Sequence, residues 1–227
     1  MNDVNLWEIA LAGVGMVLIA VGASVGWKMI SHTEWKWFWI GAGLWAAAVT
    51  VKLVIGLLMN AAVLGWLKEH LPYAGFIAGS GLFIGIESSA CEIGLTIVAV
   101  AVWRQFSREA GRAIAIGVGA GAIEAFLLGA VAIVSVAVAA SGLAVGEEIW
   151  KALAENQQKM QLAWLIGPLE RALALLVHAS SRALVLLGFG HSRPGMVFGG
   201  LAIFTVVDGI AGAAIVVSKT HRDLSPW

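Results

Sequence analysis

Acidic and basic side chains lie inside long apolar runs of this sequence, where they could carry out chemistry. The acids are Glu87, Glu92, Glu124, Glu170 and Asp208, and the basic residues in the same runs are Lys52, Arg171, His178 and Arg182. A carboxylate in an apolar medium is costly, so these groups usually face a protein interior or a water-filled cavity. Such acids could activate water as general bases, exchange protons, or form buried ion pairs.

Helical spacing predicts one polar stripe formed by Arg171, His178 and Arg182. Offsets of seven and eleven residues return to nearly the same direction at about 100° per residue. Glu170 borders this stripe. We therefore expect these side chains to line one cavity.

A second group of polar residues, at 87–92, divides between two faces of a helix. Glu87 shares a face with Cys91, and Ser88 shares another with Glu92, because residues four apart on a helix lie on one side. We expect at most one of the two glutamates to face a given narrow site.

The composition predicts a membrane protein built as one integral membrane domain, residues 1–227. Hydrophobic residues make up 60% of the chain and charged residues only 12%, against roughly one quarter charged in soluble domains. The net charge is zero and there is no basic block, so we expect the lipid bilayer as a partner and no nucleic acid. The single cysteine excludes an intramolecular disulfide and a cysteine-rich metal site.

The apolar runs predict an all-α polytopic transmembrane helix bundle of about six spans. The expected spans cover about 7–27, 35–58 or beyond, 74–103, 113–143, 164–189 and 196–219. The segment 146–161 is amphipathic and is expected to lie along the membrane interface. Three arginines in the 104–112 connection favour a cytoplasmic location for it, with both termini on the opposite face.

Two segments resemble the signature helices of a known family. Residues 117–125 read GVGAGAIEA, and residues 168–180 read PLERALALLVHAS. They are similar to the YhfC-like membrane peptidase family, which is related to the PrsW and CAAX-protease-like intramembrane peptidases. The resemblance covers about residues 73–216. It implies a multi-pass protein of a prokaryotic cell membrane that cleaves or binds membrane-embedded peptides or partner membrane proteins.

The resemblance also implies which residues form the site. We assign catalytic roles to Glu124, Glu170, Arg171 and His178, and substrate binding to Glu87 and Asp208. The paired motif segments also imply that the fourth and fifth spans pack together, so that Glu124 approaches Glu170, Arg171 or His178. The chain departs from the family pattern at several positions. Ala120 and Phe204 stand where histidines are expected, and the segment 87–91 keeps one acid of an expected pair but lacks the second acid and an arginine.

These departures bear on zinc as a cofactor, because a catalytic zinc typically needs about three protein ligands and an open position. His178 is the one histidine inside an apolar run and is the candidate metal ligand, together with Glu87, Glu124 or Glu170. Hydrolysis without a metal would instead require Glu124 or Glu170 to activate water.

Several functions remain open on the sequence alone. The chain is either an active intramembrane peptidase or a related protein that binds peptides after losing hydrolysis. The alternatives are a proton-coupled transporter or carrier that uses the same acids, and a non-catalytic subunit of a membrane complex. If the acids only form ion pairs that hold helices together, we expect Glu170→Gln to destabilise the protein more than Glu124→Gln.

Overall fold

The computed structural model describes residues 6–157 and 163–224, and most of these residues are helical, with no strand among them. The helices are α1 (Leu6–Ser31), α2 (Trp35–Ile55), α3 (Ala61–His70), α4 (Tyr73–Val102), α5 (Ala110–Ala139), α6 (Ala144–Gln157), α7 (Ala163–Gly190) and α8 (Pro194–Leu224). A five-residue π-helical turn, Gly56–Asn60, joins α2 to α3, and a short 3₁₀ turn, Arg104–Ser107, follows α4.

Six helices of the described chain are long and apolar enough to cross a membrane, which confirms the predicted six-span bundle. They are Leu6–Ser31, Trp35–His70, Tyr73–Val102, Ala110–Ala139, Trp164–Gly190 and Pro194–Lys219. The predicted limits agree closely, and the second span, expected to reach residue 58 or beyond, continues through the π-helical turn and α3. Its 36 residues correspond to about 54 Å at 1.5 Å per residue, so this helix must tilt or extend beyond a hydrocarbon core of about 30 Å.

The segment predicted to lie along the membrane interface forms helix α6. This helix covers 146–157 of the predicted range 146–161, and residues 158–161 lie outside the described part of the chain. The chain turns between α5 and α6 at Gly142, whose φ of 71° lies in the left-handed region that glycine adopts without a steric cost. Helix α6 then packs back against α5.

Helix α5 is the centre of one half of the bundle and packs against α1, α2 and α7. Helices α4 and α8 form the other half, and α7 joins the two halves by packing against α5 and α8. Trp37 and Phe38 of α2 are buried against Ile116 and neighbouring residues of α5. The sequence WKWFW at 35–39 therefore supplies core residues as well as exposed aromatic rings.

Small residues allow α5 and α7 to approach closely. A Cβ atom added at Gly117 would lie 2.7 Å from the carbonyl oxygen of His178, and one added at Gly121 would lie 2.8 Å from the Cα of Leu175. Both distances are shorter than carbon atoms tolerate, so larger residues would push the helices apart. Gly22 of α1, by contrast, has no such neighbour within 4 Å.

A substitution at this contact tests the packing of α5 on α7. We expect Gly121→Val to lower the melting temperature in detergent by several degrees, because overpacking costs about 1–3 kcal/mol or more. Gly22→Val is the matched control and should change the melting temperature little. Equal effects of the two variants would contradict the close approach described above.

Cysteine labelling tests the six-span topology. In a Cys91→Ala background, single cysteines at Arg108 and at Ser192 should react with a membrane-impermeant reagent from the same side, because two spans separate these connections. Labelling from opposite sides would contradict the arrangement.

Candidate functional site

A layer of polar residues crosses the bundle at the middle of five helices. The members closest to the centres of their helices are Lys52 (18th of the 36 residues in Trp35–His70), Ser88 (16th of 30 in α4), Glu124 (15th of 30 in α5), His178 (16th of 28 in α7) and Asp208 (15th of 31 in α8). If the helices span a bilayer, these groups lie near its midplane. Polar groups at that depth usually form functional sites.

One part of the layer joins α2, α4 and α8. The Lys52 ammonium donates to Ser88 Oγ at 2.6 Å, and the Ser88 hydroxyl donates in turn to Asp208. Lys52 Nζ also lies 3.6 Å from Asp208 Oδ2 and 3.7 Å from Glu92 Oε1. Lys52 therefore lies within ion-pair distance of acids from two helices.

This part of the layer is also partly open. The side chains of Lys52 and Asp208 are 32% and 30% exposed, while Ser88 beneath them is buried. Helices α2 and α8 both pack on α4 and are not among the helix pairs with extensive contact. We call this feature, lined by Lys52, Ser88 and Asp208, the α2–α8 gap.

Arg182 occupies the centre of the layer and is completely buried. Its Nη2 donates to Glu92 Oε2 at 3.1 Å, and its Nη1 contacts His178 Nδ1. The guanidinium carbon lies 5.7 Å from the centre of the Phe204 ring, a favourable distance for a cation–π interaction. The charge thus connects α7 to α4 and α8.

Contact with Arg182 determines which nitrogen of His178 carries the proton. Arginine has only donors, so Nδ1 must accept, and the ring proton of the neutral imidazole is on Nε2. The Nε2–H donates to Glu124 Oε2 at 2.7 Å. Both ring nitrogens of His178 are therefore engaged in hydrogen bonds.

Glu124 connects this centre to a more exposed end of the layer. Its second oxygen accepts from Arg171 Nη1 at 2.5 Å, and Arg171 Nη2 donates to Glu170 Oε1 at 2.5 Å. The Glu170 side chain is 63% exposed, against 23% for Glu124. The predicted convergence of Glu124 with Arg171 and His178 is thereby confirmed.

Glu87 faces a different part of the bundle. Its Oε1 is buried without a hydrogen-bond partner and lies 3.7 Å from the position that a Cβ on Gly56 would occupy, so the side chain points toward the π-helical turn. Glu92 takes part in the layer instead, together with Ser88 on the same face of α4. The expectation that at most one of the two glutamates faces the site is confirmed. The assignment of Glu87 rather than Glu92 to the site is not supported by this geometry.

An apolar cavity lies away from this chemistry. It has a volume of about 280 Å³ and lies between α1, α2 and α5, lined by apolar side chains and Ser24. None of the charged residues of the layer lines it. We therefore place the candidate site in the polar layer.

Comparison with models of known protein families tests the family resemblance that residues 117–125 and 168–180 suggest. The model of the family described as YhfC intramembrane metalloprotease matches residues 15–222. The chain belongs to this family. The match is wider than the stretch 73–216 inferred from the sequence. Neither the curated proteins nor the solved structures yield a match.

The YhfC family name implies a metal, so we tested whether the site residues could hold one. Among the described residues, no group of three or more His, Cys, Asp or Glu side chains gathers around one point. The imidazole of His178 separates the two nearest acids, because Glu92 lies on its Nδ1 side and Glu124 on its Nε2 side. With Nδ1 accepting from Arg182 and Nε2 protonated, the residues in this arrangement do not fit a zinc ion.

Four members of the layer are absent from the site assigned by sequence: Lys52, Ser88, Glu92 and Arg182. The helical spacing already placed Arg182 on the stripe of His178, and Ser88 with Glu92. What the sequence lacks is the relative rotation of the helices, which decides that this face of α4 meets α7 and α8.

Glutamine substitutions test the pairing of Glu124. We expect Glu124→Gln to lower the melting temperature in detergent strongly, because removing one partner of a buried ion pair costs about 3–5 kcal/mol. Glu170→Gln should have a small effect, since exposed pairs contribute about 0–1 kcal/mol. This order reverses the expectation from the sequence, because Glu124 has two partners and Glu170 is largely exposed. A larger loss for Glu170→Gln would contradict the described contacts.

Proposed function

We propose that this chain is a peptidase-related protein that binds peptide segments of other membrane proteins inside the bilayer, at the α2–α8 gap. The observation that carries the proposal is a partly exposed Lys52 and Asp208 at the middle of their helices. Charged groups exposed to hydrocarbon are unfavourable. A polar occupant that covers them would relieve this cost.

A peptide backbone is an occupant with suitable chemistry. An unwound transmembrane segment has backbone N–H and C=O groups without partners, and each costs several kcal/mol in lipid. Lys52 can donate to a peptide carbonyl and Asp208 can accept from a peptide N–H. The buried Ser88 hydroxyl joins these two side chains in one hydrogen-bonded cluster, so they can serve neighbouring backbone groups of one segment.

The groups on the other side of Arg182 would support this site without touching the bound segment. In this proposal Glu124, Arg171 and His178 hold the helices in register, and Glu170 pairs with Arg171 at the exposed end of the layer. Glu124 accepts two charge-assisted hydrogen bonds in the unliganded arrangement. Because both of its oxygens are engaged, it must first be released before it can take a proton from water, so binding is the step that the geometry favours.

Peptide binding in proteoliposomes tests the proposal. A fluorescent transmembrane peptide with a central Gly-Pro pair should bind the parent protein. Asp208→Asn should weaken binding about tenfold or more, because a hydrogen bond to a charged group contributes about 1.5–3 kcal/mol. Lys36→Met is the matched control, since Lys36 pairs with Glu34 at an exposed helix start. Equal affinity of the parent protein and Asp208→Asn would contradict the proposal.

Crosslinking checks the location without disturbing the ion pairs. A photoreactive residue at Val207, which is exposed next to Asp208, should form an adduct with the same peptide. One at Leu18, which is exposed on α1, should not. Mass spectrometry of the peptide after incubation also separates binding from cleavage, because fragments that disappear with a Glu124→Gln protein that is still folded at the assay temperature would identify Glu124 as a catalytic residue.

A further inference from the structure

We propose that the Arg182 guanidinium is the resident cation of the site at His178, in the place that a metal ion would need to occupy. The group is completely buried on α7. It donates to Glu92 Oε2 at 3.1 Å and to His178 Nδ1. These two acceptors are the carboxylate and imidazole atoms that a divalent metal would bind.

The distance between the two acceptor atoms is compatible with a bound metal ion, so this distance alone does not exclude a metal. His178 Nδ1 and Glu92 Oε2 lie 3.7 Å apart. Zinc binds nitrogen and oxygen ligands at about 2.0–2.2 Å, so two ligands of one ion can be up to about 4 Å apart. What excludes zinc is therefore the presence of the guanidinium and the lack of a third donor, rather than the distance.

Arginine is well suited to hold this position permanently. It does not lose its proton in proteins, so it cannot become neutral and withdraw as a buried lysine can. The Phe204 ring packs edge-on against His178 with centroids 5.2 Å apart and also faces Arg182. This ring therefore occupies the space beside both groups.

Zinc analysis of the parent protein is the first test. Tag-free protein is exposed to zinc, dialysed in detergent, and analysed by elemental emission beside His178→Ala. We expect the same low zinc content in both proteins and no change in melting temperature with zinc or with a chelator. A stoichiometric zinc ion in the parent protein that is lost in His178→Ala would overturn the proposal.

Replacing the cation by a ligand is the second test. Arg182→His would place an imidazole four residues from His178 on one helical face, a spacing that binds zinc on helices, with Glu92 as third ligand. We expect this variant to retain zinc stoichiometrically and to gain thermal stability with zinc, as binding to the folded state requires. Arg182→Lys keeps a cation without adding a ligand and is expected to retain no zinc.

Combined variants make the second test decisive. Adding His178→Ala to Arg182→His should abolish zinc retention. A folded Arg182→His protein that binds no zinc would contradict a metal-sized position at Arg182. If Arg182→His does not fold, the comparison of zinc content between the parent protein and His178→Ala still tests the proposal. These tests measure zinc content and not peptide binding. Failure of the proposal for Arg182 is therefore distinguishable from failure of the proposed peptide binding at the α2–α8 gap.

Discussion

The buried charge of Arg182 is the constraint that the rest of the bundle must satisfy. Burying a guanidinium is costly unless hydrogen bonds and an opposite charge offset the loss of water. The hydrogen bonds of Arg182 go to Glu92 on α4 and to His178 one turn earlier on α7, while its Nε is buried without a hydrogen-bond partner among the described residues. Because His178 must then donate to Glu124, this one charge also determines how α5 is oriented. A rotation of any of these three helices would leave a buried polar group without a partner.

Backbone proximity makes this arrangement possible. Hydrogen bonds between side chains on neighbouring helices need short distances, and lipid supplies no hydrophobic force that pushes transmembrane helices together. Gly117 and Gly121 bring α5 against α7, and Gly85 brings α4 against Thr205 of α8. The glycines therefore determine where the charges meet, and the charges determine which of the possible helix contacts is kept.

The sequence predicted the number and approximate limits of the spans because the length of each apolar run depends on local composition. It also predicted that Glu124 meets Arg171 and His178, on the basis of the paired motif segments. It did not predict that Glu92 rather than Glu87 joins them, because the rotation of α4 depends on contacts with residues more than 80 positions away. Trp37 is a similar case: its neighbours suggest a membrane interface, yet it packs against Phe106 in the core.

The π-helical turn at Gly56–Asn60 has a consequence for how the second span is interpreted. A π turn contains one residue more than an α turn, so every residue after it is advanced by about 100° around the helix axis. A single helical wheel drawn from Trp35 to His70 would therefore place the residues of α3 on the wrong side relative to Lys52. Deleting one residue from the turn would restore a regular helix and rotate α3 by about 100° relative to α2, so the face that α3 presents to α4 depends on that additional residue.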